Sequence, residues 1–62
     1  MDYSIWYQGR VIGDCCGLNQ NHALATARAL YGTKVTVSLA QGSEEEFRVA
    51  REESLQLENK AR

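Results

Sequence analysis

The chain has 62 residues, 44% apolar and 24% charged, with seven Lys and Arg against eight Asp and Glu for a net charge of -1. A domain of this length buries only about 60% of the surface its unfolded chain exposes, so it holds one marginal core and no second domain. Two cysteines and one histidine exclude a disulfide framework and a closed four-ligand zinc module, and the length excludes a multidomain enzyme.

Residues 3–7 (Tyr-Ser-Ile-Trp-Tyr) and 10–16 (Arg-Val-Ile-Gly-Asp-Cys-Cys) are rich in aromatic and β-branched side chains and read as two strands. Gln8-Gly9 between them supplies a tight two-residue turn. Regular alternation then puts Tyr3, Ile5, Tyr7, Ile12 and Cys16 on one face, and Ser4, Trp6, Val11, Gly13 and Cys15 on the other. Both faces are partly apolar. Gly13 and Gly17 are expected to admit a close helix or a bulge.

Residues 20–31 form a helix, capped by Asn19 or Asn21 and stopped at Gly32. Leu24, Ala27, Leu30 and Tyr31 fall on one stripe. In residues 33–40, Val35, Val37 and Leu39 alternate with Thr36 and Ser38, the pattern of a half-buried third strand. The hairpin–helix–strand order implies a sheet ordered 2-1-3.

The last 22 residues carry ten of the fifteen charges, including Glu44-Glu45-Glu46. Two readings compete there. As a strand, residues 45–51 pair with the third strand, matching Leu39 to Phe47 and Val37 to Val49. As a helix, Ser43 and Glu46 form a capping box, Glu44, Arg48 and Glu52 a charge ladder, and Phe47, Ala50, Leu57 and Ala61 a stripe. The pairing match favours the strand. The expected fold is therefore α+β: a small ββαβ(β) domain over residues 1–51 with a three- or four-stranded, mainly antiparallel sheet. One main helix covers one face, and residues 52–62 make a short helix or a frayed tail.

Nothing in the residues points to catalysis. Adjacent Cys15 and Cys16 read as two reduced thiols of a cytoplasmic protein. A Cys16/His22 dyad with Asp14 lacks a pocket and an oxyanion hole around it. The carboxylate runs lie in the most solvated part of the chain, whereas general acid catalysis needs one carboxyl of a pair desolvated. No cofactor, metal, membrane span or small-molecule substrate is implied, and the near-neutral charge argues against a duplex-binding domain.

What is left is surface. If the helix covers the Tyr3/Ile5/Tyr7 face, Trp6 and Val11 stand on the other as anchors for a protein partner or a second copy, with Glu44, Glu45 and Glu46 steering basic partners. If it covers Trp6 and Val11, then Tyr3, Tyr7 and Arg10, helped by Arg28 and Lys34, offer an aromatic sheet for single-stranded nucleic acid. A non-enzymatic docking or dimerising module, accessory or inhibitory in role, is the expected function, with nucleic-acid binding second. The outcome turns on which face Trp6 occupies.

Overall fold

Strand β1 (Asp2–Tyr7) turns through Gln8-Gly9 into β2 (Arg10–Cys16), in a computed structural model that describes the backbone of residues 1–60 and the side chains of residues 1–57. Gln8 and Gly9 have φ of 52° and 81°, the left-handed pair that lets a two-residue turn follow the twist of the strands. Tyr7 lies opposite Arg10 and Trp6 opposite Val11, but the register then shifts so that Ile5 faces Gly13. Ile12 is the extra residue of a β-bulge. A slip of one residue inverts every face beyond it. Gly13 and Cys15 therefore share the face of Tyr3 and Ile5, while Asp14 and Cys16 share that of Ser4 and Trp6, the reverse of regular alternation.

Helix α1 (Gln20–Tyr31) starts where Asn19 Oδ1 accepts the His22 N–H. It stops at Gly32, whose φ of 102° is open to glycine and strained for other residues. Strand β3 (Thr36–Leu39) pairs antiparallel with the other side of β1, completing the expected order β2-β1-β3. Ala23 and Ala27 of α1 pack with Tyr3, Ile5, Val35 and Val37 in the core. The expected stripe is shifted, because Leu30 and Tyr31 are exposed and the small alanines make the close contact.

The C-terminal third is helix, not strand. Helix α2 (Glu44–Lys60) begins at Ser43, whose Oγ accepts the Glu46 N–H at 3.2 Å and whose carbonyl accepts the Phe47 N–H. Three acids in its first turn suit the positive end of the helix dipole. Arg48 pairs with Glu45 and with Glu52, so Glu45 takes the place expected of Glu44 in the ladder. The boundary expected near residue 51 falls inside this helix; residues 61 and 62 of the expected tail lie outside the described residues.

Helix α2 covers the second face of the sheet, so the described domain has three layers and Trp6 lies on the α2 side. This interface is built largely from hydroxyls and small side chains. Thr36 Oγ1 donates to the Ala50 carbonyl at 2.7 Å, Trp6 Nε1 donates to Ser38 Oγ at 3.0 Å, and Ser54 Oγ accepts the Gly9 N–H at 2.9 Å. Ser54 is fully buried and donates in turn to the Arg51 carbonyl. Buried polar groups are tolerated when each finds a partner, and these do.

Candidate functional site

Helix α2 lies over β3 and β1, to one side of β2. A strip of sheet is thereby left uncovered on the α2 face. Its floor is Val11, 52% exposed, beside Trp6. Its wall is the flank of α2: the Phe47 ring lies 6.4 Å from that of Trp6, tilted by 38°. Trp6, Glu44, Phe47, Arg48 and Arg51 enclose a notch of about 280 Å³. Leu55, also exposed, sits over Gly9 and extends the apolar flank toward the hairpin turn.

The backbone of β2 adds a second feature. Ala40 N–H donates to the Asp2 carbonyl, which places the Asp2, Ser4 and Trp6 backbone groups toward β3. Those of Tyr3, Ile5 and Tyr7 then point to β2, and by the alternation of an antiparallel ladder Val11, Asp14 and Cys16 turn theirs away from β1. No strand lies beyond them among the described residues. Their side chains share the α2 face, so edge and notch form one surface. The opposite edge is different: Gln20 Nε2 donates to the Val37 carbonyl and Gly42 N–H to that of Leu39, and β3 is almost wholly buried.

Of the residues expected to bind protein, the structure brings together Val11, Trp6 and Glu44. Glu45 and Glu46 instead border a groove on the other flank of α2, beside β3. Phe47, Arg51 and Leu55 were not foreseen as part of the surface. Their i, i+4, i+8 spacing becomes a signal only once residues 44–60 are read as a helix.

The residues expected to stack bases are separated. Tyr3 is 3% exposed beneath α1 and belongs to the core, so the face carrying Tyr3, Tyr7 and Arg10 is not an open sheet. Tyr7 is half-buried and Arg10 exposed at its rim. Arg28 lines a different groove, between α1 and α2.

The thiols and the imidazole also part company. Cys16 Sγ–H donates to Asp2 Oδ1 at 3.2 Å, and this hydrogen bond, with the Asp2 charge, raises the thiol pKa. Burial, with a smaller effect from Asp14, raises that of Cys15, whose Sγ–H points to the Ala23 carbonyl. A raised pKa means less thiolate, and the thiolate is the nucleophile. His22 Nδ1 accepts the Leu18 N–H at 3.0 Å, so the ring closes the turn before α1 instead of addressing Cys16. Among the described residues no group of three or more His, Cys, Asp and Glu side chains is placed to hold a metal ion, and no helix is long and apolar enough to cross a membrane. Comparison with protein-family models, curated proteins and solved structures gave no match.

Proposed function

We propose that this chain is a non-enzymatic docking module that takes an extended segment of a partner protein onto the free edge of β2. The observation that supports it is Val11: an apolar side chain 52% exposed, beside the Trp6–Phe47 notch, on a strand whose outer backbone groups have no neighbouring strand. Strand addition draws affinity from main-chain hydrogen bonds and specificity from pockets for alternate side chains. The notch would take one apolar side chain of the partner. Glu44, Arg48 and Arg51 around it offer charges of both signs to the polar residues that flank that side chain.

A second copy fits this edge less well. Antiparallel self-pairing about Asp14 sets like charges opposite each other and brings two acidic α2 layers to the same side of the joined sheet, which opposes association. The reading therefore assigns an accessory or inhibitory role exercised on another protein. The two free thiols support a cytoplasmic setting.

The test is a photo-crosslinking amino acid at position 11, with position 21 on α1 as control, followed by affinity measurement on the captured partner. Capture from position 11 alone, and a loss of at least tenfold in affinity for Val11→Lys, is the expected result. Equal capture from both positions, or unchanged binding by Val11→Lys, contradicts the proposal.

A further inference from the structure

The two helices that cover the sheet are held to it by different forces. On the α1 side lies the apolar core of Tyr3, Ile5, Ala23, Ala27, Val35 and Val37, and among the described residues every partly buried apolar side chain packed on it also comes from the sheet or from α1. Helix α2 contributes none. Among its described residues only Ala50 is both apolar and buried; Phe47 and Leu57 are half-buried, and Val49 and Leu55 stand 40% and 45% exposed. Burial of apolar surface is the main force that drives folding, and α2 supplies little of it.

What joins α2 to the sheet is largely polar. Thr36 Oγ1 donates to the Ala50 carbonyl, and Ser54 Oγ accepts the Gly9 N–H. Bonds of this kind are exchanged for bonds to water when the helix lifts, so the net contribution of each is small. Arg48 pairs with Glu45 and Glu52 of the same helix, which supports α2 without tying it to the sheet. A mostly exposed loop, residues 40–43, connects it to β3, and no strand pairing passes through it. The layer beneath is three strands with an apolar face packed on α1, enough to keep a small sheet folded.

We propose that α2 is a lid that opens as one unit while β1, β2, β3 and α1 stay folded. A helix of 17 residues draws most of its stability from packing, so once undocked it melts. The opening uncovers the sheet face of Ser4, Trp6, Thr36 and Ser38 and joins it to the exposed Val11. The chain then presents two surfaces, a narrow strip when closed and a full sheet face with an uncovered indole when open. The lid does not depend on docking at the β2 edge, because its opening is read on the pure protein. Failure of either one leaves the other standing.

The experiment is native-state amide hydrogen exchange of the whole protein by NMR, under conditions where exchange reports the opening equilibrium. The amides of residues 50–54 should share one protection factor, at least about tenfold below those of Ala27 in α1 and Tyr3 in β1. Two variants separate a lid from its alternatives. Ile5→Val, in the core beneath α1, weakens only the layer that stays folded. It should lower the protection of Ala27 and Tyr3 about fivefold and leave residues 50–54 unchanged. Ala50→Gly destabilises the closed state against both openings and should lower protection at all of these positions about fivefold. An equal loss at both sets of amides in Ile5→Val means that the domain opens only as a whole, and overturns the proposal. So does protection that falls off gradually toward the ends of α2 and is unmoved by Ala50→Gly, which is the mark of fraying.

Discussion

Trp6→Ala should unfold much of this domain instead of merely blanking a surface. The indole is half-buried between the sheet and α2, packs on Phe47, and donates from Nε1 to Ser38 Oγ. Truncation removes the ring and strands the Ser38 hydroxyl, on a residue only 4% exposed. Tryptophan-to-alanine changes in cores cost about 3–5 kcal/mol, and partial exposure puts this one at about 3. A domain of this size has roughly 3–9 kcal/mol in total. The melting temperature should drop by about 15 °C, on the scaling of roughly 4–8 °C per kcal/mol for small domains. Trp6→Phe keeps a smaller aromatic ring in place and gives up part of the indole volume along with the hydrogen bond, at about 1–2 kcal/mol. Thermal melts followed by circular dichroism measure both. A Trp6→Ala protein that melts within a few degrees of wild type contradicts the placement of Trp6 under α2.

Gly17→Ala should be comparably severe, for a backbone reason. Gly17 joins the end of β2 to α1, is buried, and exchanges hydrogen bonds with Met1, its N–H to the Met1 carbonyl and its carbonyl from the terminal amine. A Cβ here would lie 2.7 Å from Ala23 N and 2.9 Å from Ala23 Cα. These are main-chain atoms in the first turns of α1, so relief requires lifting the helix from the sheet. Overpacking of this kind costs about 1–3 kcal/mol and occasionally more; the upper end applies because no side chain can swing aside. Gly13→Ala is the internal control. Its Cβ would meet the far end of the Tyr31 side chain, which can rotate away, and the cost should stay below about 1 kcal/mol. Urea denaturation of the two variants checks the contrast. Equal stability of Gly17→Ala and Gly13→Ala would mean that α1 does not approach the sheet at Gly17.

The first forty residues were largely legible, because their signals are local. The hairpin turn, the Asn19 cap, the Gly32 stop and the alternation of Val35, Val37 and Leu39 each act through neighbours in sequence. The bulge at Ile12 was legible only in part. Gly13 was expected to admit a close helix or a bulge, but Val11-Ile12-Gly13 does not say which until α1 and Tyr31 pack against β2, and the extra residue decides the face of Asp14, Cys15 and Cys16.

The last third misled for a different reason. A helix that sets a half-buried Phe47 on Trp6 and buries Ala50 and Ser54, bonded to Thr36 and Gly9, shows little apolar stripe, since much of its contact is made through hydroxyls. The chance match of Phe47 and Val49 to Leu39 and Val37 looked stronger than it is. The cap at Ser43 and the acids of the first turn pointed the right way. For the candidate site, Val11 and Trp6 were named from their chemistry, whereas Phe47 and Arg51 needed the helix to bring them alongside.

The docking function requires an open β2 edge, and amide hydrogen exchange of the pure protein, read residue by residue by NMR, tests it most directly. The amides of Asp14 and Cys16, facing away from β1, should exchange orders of magnitude faster than that of Cys15, which faces Tyr3 within the same strand. Equal protection of all three amides would mean that another strand already occupies the edge, and would contradict both the open strip and the docking function built on it.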